Sequence, residues 1–293
     1  MDILTTQVIE MLTSALGRAP TDAEIEQAKL APWSLANIHN TLEVGQSTFS
    51  LNPGDDIQAG IDKLVANGGG VLYLNPGTYP ISNDILVPSN IAIHGLLRDS
   101  TIIDFGGGAY SIKSIGANGY TDGTVSITAG TTTVTGTTTV FVSSMVGQTI
   151  FLGNSYYLVS SITSETELEI DTPYSGDNFV DSRFAIADPI TSLDIRTLTI
   201  QNSSSPGIQV AYSTGGFIFS NFNIYNCAKG IRVDFSLNSN IDLGGLDGNG
   251  INLDFYYHRV CTLSNSFIDN ATTGEGLRLD HSGGGILFDN EMN

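Results

Sequence analysis

DDIQAGIDKLVANGGGVLYLNPGTYPIS, residues 55–82, changes its hydrophobic period partway along. Ile57, Ile61, Leu64 and Val65 recur at the spacing of one helix face. Asp55 or Asp56 stands where a helix N-cap belongs, because a carboxylate there satisfies a backbone N–H left without an intrahelical partner. Gly68-Gly69-Gly70 ends the helix. VLYL (71–74) then reads as a short strand, Asn75-Pro76-Gly77 as a turn, and TYPI as the start of the next strand. Outward from there, ILVPSNIAIHGL and STIIDFGG supply two more short strands separated by turn residues.

This order resembles the N-terminal signature of pectate-lyase-like β-helix proteins, over roughly residues 53–105. There an acidic helix start leads to an amphipathic helix, Gly-Gly, an apolar strand, Pro-Gly-x-Tyr and stacked coils. The resemblance implies a mainly β chain folded as a right-handed parallel β-helix, with the helix covering the open end of its interior.

The solenoid can also be read from an internal repeat. Gly207-Ile-Gln-Val210, Gly230-Ile-Arg-Val233, Gly250-Ile-Asn-Leu253 and Gly276-Leu-Arg-Leu279 each alternate apolar with polar positions. Aligned on their glycines, they are 23, 20 and 26 residues apart, the length of one solenoid coil. Asn202, Asn226 and Asn270 form a second column, with Gly248 in the remaining coil. Asn and Gly tolerate left-handed backbone, and stacked Asn side chains bond to one another.

Residues 120–186 interrupt the coils with short alternating strands, which predicts an inserted small antiparallel β domain. The insertion resembles a module of phage tail and fibre proteins. The matching residues are Val134 to Thr139, Val146-Gly147-Gln148, Tyr157-Leu158-Val159, Glu167-Leu168-Glu169-Ile170 and Pro173-Tyr174-Ser175-Gly176. Residues 1–46 carry two amphipathic helical patterns, Ile3 to Leu16 and Ile25 to Ile38 with Pro32 as a break. They are either an end cap or a segment for oligomerisation or virion attachment. The expected organisation is therefore a helical segment (1–46), a β-helix start with its capping helix (47–119), the insertion (120–186) and further coils (187–293). Phe288 to Asn293 falls inside a coil by the register of Phe219-Ser-Asn221 and Leu263-Ser-Asn265, so the chain is expected to be a piece of a longer protein.

Charge narrows the partners. Thirty Asp plus Glu against 11 Lys plus Arg give a net charge of -19, which disfavours nucleic acid and anionic membrane surfaces. Neutral glycans remain. The N-terminus lacks the basic and continuous apolar regions of a signal peptide, and no apolar run approaches the ~18 residues of a membrane span. Cys227 and Cys261 sit in apolar strand patterns and read as small buried hydrophobes, with a disulfide as the alternative.

Candidate chemistry lies in a third column. On the glycine alignment, Asp234, Asp254 and Asp280 follow successive repeat strands and face outward together, with Arg232 and Arg278 beside them. Neighbouring coils would hold carboxylates ~5 Å apart and alternate coils ~9.5 Å apart, the two spacings used in glycoside hydrolysis. A divalent cation such as calcium is the alternative occupant; otherwise no cofactor is expected. The ordinary reading is a surface charge ladder of turn-opening aspartates. His94 reads as a packed strand histidine, while His258 and His281 could join an acid–base site. Tyr212, Phe255, Tyr256 and Tyr257 either stack on sugars or pack between coils.

The resemblances imply a phage tail spike or fibre, homotrimeric, located on the virion tail or outside the cell. It would touch other tail proteins through the N-terminal segment and a host surface glycan through its wall. Cleavage of that glycan as a hydrolase or lyase is left open. A secreted polysaccharide lyase or glycoside hydrolase, and a bacterial adhesin, are the other readings.

Overall fold

A computed structural model describes residues 47–153, 155–273, 275–280 and 283–289. The two helices expected within residues 1–46, and His281, lie outside the described residues. The architecture is a parallel β-solenoid interrupted by a separate antiparallel unit.

The first coil opens with strand Ser47–Leu51. Helix α1, Ile57–Ala66, then replaces two strands, and the chain returns as Gly70–Leu74, paired in parallel with the first strand. Asp56 is the N-cap, its carboxylate accepting from Ala59 N–H at 3.1 Å. Asp55 instead accepts from Asn52 N–H at 2.7 Å. Ile57, Ile61 and Leu64 are buried and join the solenoid core, so the helix covers interior apolar surface. Val65, expected on the same face, is exposed. Gly70 has φ +145°, and a Cβ there would lie 1.9 Å from the Ser47 carbonyl oxygen. The coil therefore needs glycine where it re-enters the sheet.

Three walls follow from the registers. On the first, Leu72, Ile93, Ile195 and Phe219 are stacked in register. On the second, Tyr79, Ile103, Ile200 and Ile224 stack likewise. On the third, Ile112, Ile208, Ile231, Leu253 and Leu277 form the column. All except Leu277 are at most 1% exposed and belong to one continuous core. Each such side chain contributes ~1.5–3 kcal/mol on leaving water.

The asparagine column forms a corner. Asn202, Asn226 and Asn270 have φ of 60°, 53° and 47°, and Gly248 takes 62° in their place. Asn226 Nδ2 donates to Asn202 Oδ1 at 2.6 Å across adjacent coils. Both cysteines are buried free thiols, as the apolar reading required.

The antiparallel unit runs from strand Ala117–Tyr120 to strand Phe184–Asp188. Its own core includes Val125, Val134, Phe141, Ile150, Leu168 and Phe184. It leaves the solenoid after strand Ile112–Ile115 and rejoins it at Leu193–Arg196. Tyr212, Phe235 and Tyr257 fix it in place. They share one corner position, all with left-handed backbone (φ 56°, 42° and 49°). The Phe235 and Tyr257 rings stack at 5.0 Å and 4°. Phe151 and Ala185 of the insertion pack on this ladder.

Candidate functional site

The aspartate column expected from the glycine alignment does not form. Ile231 pairs with Leu253 rather than Ile251, and Asp234 pairs with Tyr256. Tyr256 pairs in turn with Asp280. Asp254 pairs with Arg232 on one side and Arg278 on the other. The observed spacings along this column are therefore 23, 22 and 24 residues, from Ile208 through Ile231 and Leu253 to Leu277. The middle coil has slipped by two residues. Gly230 faces Asn252, whose carbonyl oxygen would lie 2.5 Å from a Cβ at position 230.

The slip places Asp254 as an ionic clasp. Its Oδ2 accepts from Lys229 Nζ at 2.5 Å, from Arg232 Nη1 at 3.2 Å and from Arg278 Nη2 at 2.7 Å. Its Oδ1 accepts from Arg278 Nε at 2.7 Å. Asp254 is 2% exposed. Burial alone would raise its pKa, but hydrogen bonds from Arg278 and Lys229, with their charges, hold the carboxyl below its ordinary value. A carboxylate so held is a poor general acid. Asp234 is chelated by Arg232 through Nε and Nη2 at 2.7 and 2.8 Å. Asp234 and Asp280 occupy the same position two coils apart, with Tyr256 between them. Among the described residues, no three His, Cys, Asp or Glu side chains gather as a metal-holding group.

Several of the other expected candidates are held in packing contacts. His258 is buried between Phe217 and Phe255, with Nε2 2.9 Å from Ser239 Oγ. Phe255 lies in the core, and Tyr257 and Tyr212 belong to the aromatic ladder. Tyr256, like Tyr212, is partly buried against that ladder.

A site that the sequence reading passed over lies on the first wall. Strands Ile91–Gly95 and Leu193–Arg196 are adjacent, so Ala92 meets Asp194 and His94 meets Arg196. With inward positions taken by Ile93 and Ile195, the side chains of His94, Asp194 and Arg196 share the outer face. His94 Nε2 lies 3.3 Å from Asp194 Oδ2, and Arg196 Nε donates to Asp194 Oδ1 at 2.6 Å. These side chains are 20–24% exposed. Desolvation opposes the Asp194 charge, but the close approach of the His94 imidazole and the hydrogen bond and charge of Arg196 pull its pKa below the usual value. Tyr73 packs its ring edge-on to His94 at 5.8 Å. A groove of about 460 Å³ opens here, lined by His94, Asp194, Asn67, Asn90, Ser192 and backbone of Gly68–Gly70, among others. The signal available in the sequence was the match of NIAIHG with SLDIRT, separated by the insertion.

No family model matches the chain, and no curated protein matches it. Among solved structures, the Pseudomonas phage phi297 tailspike gp61 aligns at TM-score 0.44 and 12% identity, over 73% of this chain and 45% of that one. The gp54 tailspike of Acinetobacter baumannii bacteriophage AP22, solved with a capsular saccharide, aligns at 0.43 and 13%, over 85% and 45%. The gp49 tailspike of Pseudomonas phage LKA1 aligns at 0.42 and 14%, over 75% and 45%. The chain thus spans a little under half the length of the tailspikes it is similar to.

Proposed function

We propose that this chain is the solenoid part of a bacteriophage tail spike or fibre, which binds host surface polysaccharide along its outer wall and acts as a homotrimer on the virion. The observation that carries the reading is the first-wall groove. It is an open trough on a rigid parallel stack, furnished with a histidine, a carboxylate and asparagine and serine side chains. Such a surface suits a polymer of hydroxyl-bearing units, because hydrogen-bonding groups are presented at intervals of one coil, ~4.8 Å. The N-terminal signature and the inserted tail-type module support the phage assignment.

The same groove favours a second reading, cleavage of the bound glycan. Asp194 is the sole carboxylate among the groove-lining residues, so the pair needed for two-carboxylate hydrolysis is not assembled there. An imidazole backed by a carboxylate fits proton transfer instead, with Asp194 orienting His94 and Arg196 supplying positive charge.

Glycan binding and native mass test the first reading. The particle should have about three times the 31.0 kDa chain mass, and Asp194→Asn should weaken glycan binding. A monomer that retains no host polysaccharide would count against it. Normal depolymerisation by His94→Ala would remove the groove from any cleavage mechanism.

A further inference from the structure

The inserted unit carries a surface that neither the first-wall groove nor the clasp uses. Strands Thr124–Ile127, Thr133–Thr137 and Glu167–Ile170 are neighbours in its antiparallel sheet. Val125, Ile127, Val134, Leu168 and Ile170 fill its core, so Ser126, Thr133, Thr135, Glu167 and Glu169 share the outer face. Ser126 stands opposite Thr135, and Thr133 opposite Glu169. Strand Phe179–Ser182 lies along the edge and carries one extra residue against Val125 to Ile127. That bulge holds Asp181 in left-handed backbone at φ 44° and turns Val180 outward. At 65% exposed, Val180 is the most exposed large hydrophobic side chain among the described residues. Bulges re-aim side chains in this way beside functional sites. Between Val180 and the hydroxyl rows lies a cleft of about 160 Å³, lined by Ser126, Thr128, Thr133, Thr135, Asn178 and Phe179, among others.

Three polar groups at the cleft are each oriented by one internal bond, which leaves a defined donor or acceptor facing out. Asn178 Oδ1 accepts from Ala129 N–H at 2.9 Å, so its amide N–H₂ is left to donate. Ser126 Oγ accepts from Asp181 N–H at 3.0 Å, so its O–H is left to donate. Thr133 Oγ1 donates to Glu169 Oε1 at 2.7 Å, so its lone pairs are left to accept. Hydrogen bonds from Thr132 and Thr133 hold the Glu169 carboxyl below its ordinary range, so it stays charged.

The geometry points to a second glycan site, on the insertion, in which one neutral sugar unit sits in this cleft with its C–H groups on Val180 and its hydroxyls on Ser126, Thr133, Thr135 and Asn178. This rests on the polysaccharide reading proposed above but assigns the insertion rather than the solenoid wall, and a charge class. Preset donors and acceptors beside an apolar side chain suit a ring that alternates hydroxyls with C–H groups. The surrounding charge decides the class. Residues 117–188 hold eight Asp and Glu against one Arg, and Glu167 and Glu169 border the hydroxyl rows. A uronate would be repelled from such a face.

The experiment uses the full chain on an array of neutral and uronate-containing bacterial surface oligosaccharides. Hits are followed by calorimetry with wild type, Asn178→Asp, Thr135→Val and Asp194→Asn. Asn178→Asp keeps the oxygen that accepts from Ala129 and removes only the outward N–H₂; its melting temperature checks the fold. Thr135→Val deletes an exposed hydroxyl at nearly constant shape and carries the test should the first variant fail to fold. The expected result is a neutral oligosaccharide whose binding weakens roughly tenfold in each insertion variant, as the loss of one hydrogen bond implies, and persists in Asp194→Asn. Neutral binding that both insertion variants retain, or that Asp194→Asn alone abolishes, would overturn the insertion site while leaving the polysaccharide reading intact. Selection of uronates would do the same. Binding to no oligosaccharide of either class would overturn both.

Discussion

Replacing Asp254 by Asn tests whether the outer-wall charges hold coils together or perform chemistry. Asp254 accepts four hydrogen bonds from three cations on the two coils that flank it, at 2.5 to 3.2 Å. Removing one partner of a fully buried ion pair typically costs about 3–5 kcal/mol. Here Lys229, Arg232 and Arg278 are 22%, 30% and 41% exposed, so they rehydrate and the cost falls below that range. Asparagine keeps one acceptor oxygen, loses the charge and turns an amide N–H₂ toward the cations. About 2–3 kcal/mol is the expected loss, given ~1.5–3 kcal/mol for a hydrogen bond to a charged group. In a solenoid the loss concentrates in the affected coils. The assay is urea unfolding combined with hydrogen exchange of strand segments 231–234, 253–256 and 277–280. A variant with wild-type stability and wild-type exchange, but with glycan cleavage abolished, would refute the clasp and restore Asp254 as a catalytic group.

Other outcomes follow from the same contacts. Acidification should destabilise the wild type. The folded-state pKa values of Asp254 and Asp194 are lowered, so their contribution is present above the unfolded value of ~3.9 and is lost as pH falls through the folded ones. Melting followed from pH 6 to pH 3 should therefore be less pH-dependent in Asp254→Asn. Phe235→Ala removes a ring that is 6% exposed and stacked between Tyr212 and Tyr257. It should cost about 3–5 kcal/mol and expose the insertion's junctions to limited proteolysis; unchanged protease resistance would show that the ladder does not hold the insertion. Asn226→Ala combines loss of the 2.6 Å bond to Asn202 with left-handed strain at φ 53°, and should cost about 1–2 kcal/mol, with Asn226→Gly milder by denaturant midpoint. Burial pushes the Cys227 thiol up to about 11, so a thiol reagent at pH 8 should label it only after unfolding; rapid labelling of the native protein would contradict its place in the core.

Much of the fold was legible in the chain because its signals are local. Asp56, the apolar face of α1 and the Gly68–Gly70 break act within one helix and its exit. Alternation in GIQV and GIRV assigns inside and outside because strand side chains alternate with period two. Asn and Gly at the corner declare left-handed backbone without reference to any partner.

The same period hid the register. A slip of one residue would turn every side chain to the wrong face, but a slip of two leaves the pattern intact. GINLDF satisfies it equally with Ile251 and Leu253 inward or with Leu253 and Phe255 inward. Asn252 across from Gly230, and Asp254 between Arg232 and Arg278, select the second arrangement, and both are contacts between coils. The groove was hidden for a related reason: His94 and Asp194 lie on either side of the insertion, and only parallel pairing of their strands brings the imidazole and carboxylate to 3.3 Å. Inward positions along the strands and the turns between them were readable in the chain, since those depend on a residue and its near neighbours. Tertiary structure alone decided which outward residues meet, since that depends on the length of each coil, and coil length is set by packing against the coil before it.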